Sequence, residues 1–128
     1  MSINVELQQL RDAIDNTDRA PYLLTVSDDG RPHSVAVDCA WHDDQLEVPV
    51  GNRTLANARA RPFVSVLWAP KERDGYSLIV DADLTHASGA GNGDNVIRLR
   101  PTRAVLHRPA QGIIDSACGA DCVPIGFD

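Results

Sequence analysis

The string in this 128-residue chain most suited to chemistry is Gly51-Asn52-Arg53-Thr54. It opens a stretch in which Leu55, Ala56, Ala58 and Ala60 favour helix and Pro62 ends it. A helix start presents backbone N–H groups that have no intrahelical partner, at the positive end of the helix dipole. Arg53 adds a permanent cation whose planar fork matches phosphate oxygens, and Thr54 adds a hydroxyl donor. Gly51 lets a ligand approach the backbone closely. These residue types suit a phosphate-bearing molecule. They equally suit an ordinary capped helix with Asn52 as N-cap and a solvated arginine. The same three residues spell a glycosylation sequon, which carries no meaning without a secretory signal.

Other clusters offer less. Gly89-Ala90-Gly91-Asn92-Gly93 lies between two strand-like runs, whereas a phosphate loop must lead from a strand into a helix, so it reads as a hairpin loop. Cys118 and Cys122 are four apart, but Cys39 is distant and no second ligand pair exists, so no zinc or other metal site is expected. His33, His42, His86 and His107 are scattered and read as structural or surface residues. Arg98, Arg100, Arg103 and Arg108 form a basic patch that either bridges the abundant aspartates or helps to hold an anion. No triad, paired-carboxylate motif or nucleophile elbow is present, so no catalytic side chain is assigned. An enzyme built on this chain would take its reactivity from a cofactor.

The elements that must position these residues follow from periodicity. Ile3, Leu7, Leu10 and Ile14 are spaced four, three and four apart, which predicts an N-terminal helix. Tyr22 to Val26 and the alternating Ser34 to Cys39 flank the turn Asp28-Asp29-Gly30 and predict an antiparallel hairpin. A turn at His42-Asp43-Asp44 leads into a third strand, Leu46 to Val50, placed at an edge or interrupted by Pro49. After the helix, strands are predicted at Phe63 to Trp68, Tyr76 to Leu84 and Val96 to His107, the last bent or bulged at Pro101. Trp68 is expected to fill the core. The tail from Pro109 to Asp128 shows no clear period. Six short strands with mostly hairpin-length turns favour a closed or nearly closed antiparallel barrel, mainly β (α+β), with one leading helix and one between strands three and four.

Composition bounds the rest. At ~150 residues per domain the chain is a single domain, residues 1–128, with its core at about 20–108. It is 43% hydrophobic and 23% charged, a globular balance. A net charge of −6 opposes binding to nucleic acid or anionic lipid. No apolar run approaches the ~20 residues of a membrane span, and no signal core follows Met1. With an odd number of cysteines, the expectation is a cytoplasmic protein.

From about Tyr22 to Arg108 the order of these strings resembles the pyridoxamine 5'-phosphate oxidase-like, FMN-binding split β-barrel proteins, which include relatives that use the deazaflavin F420. The carriers are YLLTVSDDGRPHSVAV, VPVGNRTLANARARP, FVSVLW, GYSLIVDADL and VIRLRPTRAVLHRP. The turn DGRPH and a strand–[NS]RxxxNxxxxP–strand unit are the most telling parts. The resemblance implies a six-stranded split barrel that forms a homodimer, with flavin sites in grooves between the subunits. It assigns the cofactor phosphate to Asn52, Arg53 and Thr54. Ser34, Val35, Ala36 and Val37 would lie along the ring, the residues from Val48 to Gly51, Val50 among them, would flank the ribityl chain or the ring, and Asn57 is the motif's second asparagine. Members usually carry Lys at the position of Thr54, and the C-terminal segment of true pyridoxamine-phosphate oxidases is absent. The implied function is an FMN- or F420-dependent oxidoreductase acting on a small organic substrate. The alternative is a non-enzymatic member that sequesters a ligand or has lost its cofactor.

Overall fold

The computed structural model describes residues 1–90 and 93–110. The architecture is mainly β, an antiparallel sheet with two helices. The strands are β1 (Ser2–Asn4), β2 (Tyr22–Val26), β3 (Pro32–Ala36), β4 (Ala40–His42), β5 (Gln45–Pro49), β6 (Phe63–Trp68), β7 (Ser77–Ser88) and β8 (Val96–His107). Helix α1 spans Leu10–Asp15 and α2 spans Asn52–Ala60. The strand order is β3-β2-β6-β7-β8-β5-β4, with β1 added to β8. β8 is long enough to take two partners on one edge, β5 along Val96 to Leu99 and β1 along Val105 to His107.

The sheet does not close by pairing its two end strands, β3 and β4. Only Val37, Cys39 and the residue between them join those strands. Four steps of extended chain from Ala36 to Ala40 reach at most ~14 Å, so the ends of the sheet lie close together. The sheet is therefore curled, with a gap between β3 and β4.

Sequence periodicity predicted six strands, and the structure has eight. One addition replaces the start of the predicted N-terminal helix. Ser2–Asn4 pairs with β8, the Val5 N–H donates to Ala104 O at 2.9 Å, and only a 3-10 turn at Leu7–Gln9 and α1 are helical. β-Branched Ile3 and Val5 meet a vacant strand edge, and ladder bonds there win over the helical period. The other addition is β4, which pairs with β5 across Asp43 and Asp44; Asp43 adopts φ 56°, a conformation Asp tolerates. Pro49 pairs at the end of β5, past the reach of β4, so its missing donor costs that edge nothing.

Alternation places Val64, Val66 and Trp68 of β6, Leu78, Val80 and Ala82 of β7, and Ile97 and Leu99 of β8 in one buried cluster, with Leu55 and Ala58 of α2 packed on it. Trp68 fills the core, as its sequence context predicts. The long β7–β8 pair shifts register twice. Thr102 is the extra residue on β8 beside Pro101, where the sequence predicts a bulge. Thr85 is the extra residue on β7, and its hydroxyl bonds Gln45 Oε1 at 2.6 Å. On the outer face of β2 and β6, Tyr22 (49% exposed), Val26 and Phe63 (71%) stand open.

A candidate anion-binding groove at the start of α2

Chain direction sets the site. β5 ends at Pro49, and Gly51 serves as the N-cap of α2 with φ −78° and ψ 176°, making no side-chain cap bond. The helical ladder begins with the Leu55 N–H donating to Gly51 O at 3.0 Å. The amides of Asn52, Arg53 and Thr54 precede that ladder. Asn52 is the first helical residue rather than the cap. Its Oδ1 instead accepts from Asn95 Nδ2 at 2.9 Å, while Asn95 O accepts the Val50 N–H at 3.1 Å. Asn95 is 1% exposed and lies on the far side of the glycine-rich loop. Gly89 is what lets it in: Gly89 has φ 128°, and a Cβ there would collide with the Asn95 side chain and lie 2.8 Å from its Cα. The loop is thus a β7–β8 connection that steadies the helix start, and Gly91 and Asn92 lie outside the described residues.

Between the start of α2 and the β2–β3 turn runs a groove of about 640 Å³. Asn52, Arg53 and Asn57 line one wall, and Asp28, Asp29, Arg31 and His33 the other. The acids already have partners. Asp28 pairs with Arg61 at 2.8 Å and Asp29 with Arg31 at 3.4 Å. Arg53 is exposed and makes no ion pair among the described residues, so its charge is free to meet an anion.

Thr54 is 2% exposed and turned inward with Leu55 and Ala58, which differs from its expected role as a hydroxyl donor to the ligand. Asn57 is 5% exposed, and its Nδ2 donates to Thr25 Oγ1 at 3.1 Å, tying α2 to β2. Ser34, Val35, Ala36, Val37, Val50 and Gly51 do not line the α2 groove. The first three belong to β3, the end strand. The Val37 N–H donates to Pro21 O at 3.0 Å on the β2 side, so by alternation Ser34 and Ala36 turn their amides to the open edge. Val35, Val37 and Val50 pack into or against the core.

The arginines near the C-terminal end of the sheet mostly follow the ion-pair reading. Arg98 meets Glu47 at 3.0 Å, Arg100 meets Asp83 at 3.7 Å and Arg103 meets Asp81 at 3.7 Å, while Arg108 stacks on Tyr76 at 4.5 Å. Cys39 is a half-buried thiol that desolvation pushes up to about 12 from its ordinary 9.0. Cys118 and Cys122 lie outside the described residues. Among the described residues no group of three or more His, Cys, Asp and Glu side chains converges on a metal position, and no helix is long and apolar enough to cross a membrane.

Two residues of the site were missed by sequence reasoning. Asn95 gave no signal at all. His33 was counted among scattered histidines, yet it lines the groove, and its Nδ1 is sealed from solvent without a hydrogen-bond partner. A guanidinium with no ion pair among the described residues and the ladder-free amides form a donor set that fits a phosphate group.

No protein-family model matches the chain. Uncharacterised proteins of Mycobacterium bovis and Mycobacterium tuberculosis are each 38% identical to it, the alignment covering 93% of this chain and 93% of theirs. Three solved structures share its architecture. An F420 reductase has a TM-score of 0.61 at 19% identity, over 73% of this chain and 94% of its own. A Listeria innocua protein provisionally named a pyridoxamine 5'-phosphate oxidase has 0.61 at 18%, over 79% and 98%. An FMN-binding protein from Syntrophomonas wolfei has 0.63 at 12%, over 81% and 87%. The chain belongs to one family with these mycobacterial proteins, and its fold is that of the pyridoxamine 5'-phosphate oxidase-like proteins. At identities of 12–19% these solved structures share the fold. The gap between β3 and β4 separates the two end strands of the sheet, and the α2 groove opens beside β3, one lip of that gap.

Proposed function

We propose that the α2 groove binds the phosphate of a flavin-type cofactor, FMN or the deazaflavin F420, in an oxidoreductase that acts on a small organic molecule. The observation that carries this reading is Arg53, exposed and unpaired among the described residues beside the ladder-free amides of α2. That an F420 reductase and an FMN-binding protein share its fold supports it. When bound, the ring supplies hydride transfer, chemistry that none of this chain's side chains is arranged to perform.

The chain's own residues bind and orient. Arg53 and the amides of Asn52 and Arg53 hold the phosphate through charge-assisted hydrogen bonds. The outward amides of Ser34 and Ala36 on β3 offer donors along an open edge, with Val35 and Val37 backing the strand and Val50 and Gly51 leading the chain into the helix. Asn57, bonded to Thr25, fixes the height of α2 above β2. With Thr54 buried where relatives carry a lysine, Arg53 is the sole cation in that part of the helix. We further propose a cytoplasmic homodimer that uses the open face bearing Tyr22, Val26 and Phe63, since exposed apolar side chains grouped on one sheet face suit an association surface.

An absorption spectrum of the purified protein, followed by titration with FMN and F420, tests the reading. Saturable binding of either at micromolar concentration is expected. Arg53→Ala is expected to weaken FMN ~10- to 100-fold, the ~1.5–3 kcal/mol typical of a hydrogen bond to a charged group. An unchanged dissociation constant would place the phosphate elsewhere, and binding of neither cofactor would remove the oxidoreductase reading.

A further inference from the structure

His33 is the odd group in this groove. Its Nδ1 is shut away from solvent and has no hydrogen-bond partner, while its ring lines the groove across from Asn52 and Arg53. Buried polar atoms in folded proteins nearly always have partners, so an orphan at the edge of a groove marks a network that is incomplete without something bound.

The missing connection can be read from register. His33 of β3 pairs directly with Thr25 of β2, which puts both side chains on the inner face, beneath α2. Thr25 Oγ1 already accepts from Asn57 Nδ2 at 3.1 Å. A hydroxyl that accepts one bond still has its own hydrogen to give. The residue paired opposite it is His33, whose Nδ1 is the nitrogen left without a partner. When Nδ1 accepts, a neutral imidazole carries its proton on Nε2 and turns a donor toward the groove. Every bond then runs in one direction, from the Asn57 amide to the Thr25 hydroxyl, to the imidazole, and out to an acceptor in the groove.

We infer that His33 is a phosphate-binding residue, held in its Nε2–H tautomer by Thr25 and Asn57, and that ligand binding completes the Thr25–His33 bond. This rests on the reading of the groove as a phosphate site. The charged groups around the ring are consistent with it. Asp28 and Asp29 are engaged by Arg61 and Arg31, and Arg53 on α2 draws an anion into the same groove from the facing wall. Thr25 and Asn57 are positioning residues in this scheme, since they act through the imidazole.

FMN and riboflavin differ by the phosphate alone, so their comparison isolates the claim. Fluorescence titration of His33→Phe is expected to show about tenfold weaker FMN binding, with riboflavin affinity within twofold of wild type. His33→Gln, which keeps a donor near the Nε2 position, should recover most of the loss. Thr25→Val should weaken FMN by a few fold. Nitrogen-15 NMR of the wild-type protein at mildly alkaline pH supplies a second readout: FMN should drive His33 to the Nε2–H tautomer, and Thr25→Val should abolish that preference. If Arg53→Ala loses FMN while His33→Phe stays within twofold, the His33 assignment falls and the groove reading stands. If wild-type protein binds neither FMN nor F420, the groove reading falls and takes His33 with it; if it binds F420 alone, an F420 affinity of His33→Phe within twofold of wild type overturns the inference. Should His33→Phe fail to fold, an unaltered tautomer in FMN-bound wild-type protein overturns the inference.

Discussion

The β7–β8 pair and the groove between β3 and α2 obey opposite rules. Along β7 and β8 each strand is paired over its whole length, inward residues such as Val80 and Leu99 are sealed, and outward arginines face aspartates across the ladder. Along the groove, among the described residues, a strand edge is unpaired, a helix has no side-chain cap, an arginine lacks a carboxylate and an imidazole nitrogen lacks a hydrogen-bond partner. Satisfied groups make a scaffold, and unsatisfied groups on its margin make a place for something else to bind. On the proposed reading, stability and ligand binding are divided between different strands of one sheet.

Substitutions can test that division. Leu99→Ala should have the largest effect on the scaffold, about 3 kcal/mol by urea denaturation, because Leu99 is fully buried against β5 and β7. FMN affinity of the folded fraction should not change. An equal loss of affinity would show that the two regions are not separate. Gly89→Ala should sharpen the boundary, since Gly89 belongs to the scaffold's loop yet holds Asn95 against the helix start. Its strained φ and collision should cost on the order of 2 kcal/mol and also lower FMN affinity, a double effect that Leu99→Ala lacks.

Cys39 lies in the β3–β4 connection and gives a pH-dependent version of the comparison. Unfolded, its thiol ionises near the ordinary 9.0, whereas burial pushes it up to about 12 in the folded chain. Between those values the folded form keeps a proton that the unfolded form has lost, so stability falls as pH rises, by at most ~1.4 kcal/mol per pH unit. Below 9.0 both forms hold the proton and the effect vanishes. Cys39→Ala should remove that part of the alkaline slope, which denaturation at several pH values can measure. Alkylation followed by peptide mapping should find Cys39 slow to react at neutral pH. The smallest effect belongs to Arg98→Ala. Its pair with Glu47 is one-third exposed, and its loss should cost about 0.5 kcal/mol and leave the groove untouched.

Most of this arrangement was legible in the sequence wherever local chemistry decides structure. Alternation in Phe63–Trp68 and the Asn52–Pro62 string place β6 and α2 within a residue of their observed ends. Pro101 announced the bulge that Thr102 forms. Elements that depend on a distant partner were harder to read. Ile3 joins a strand because β8 leaves an edge vacant there, and Ala40–His42 becomes one because β5 folds back on it. The candidate site divides in the same way. Asn52 and Arg53 carry their chemistry in their own types, so they could be named beforehand. Thr54 has a suitable type but the wrong helix face, a matter of rotation around α2 that only packing settles. His33 and Asn95 owe their importance to what faces them across other elements.

The short span from Val37 to Cys39 has a mechanical consequence. It is a tether of fixed reach fastened to both lips of an opening, so its length works as a spacer gauge. Chains of this architecture that carry longer or shorter inserts at that point would have openings of different calibre, each admitting molecules of different girth, with no change to the barrel wall behind.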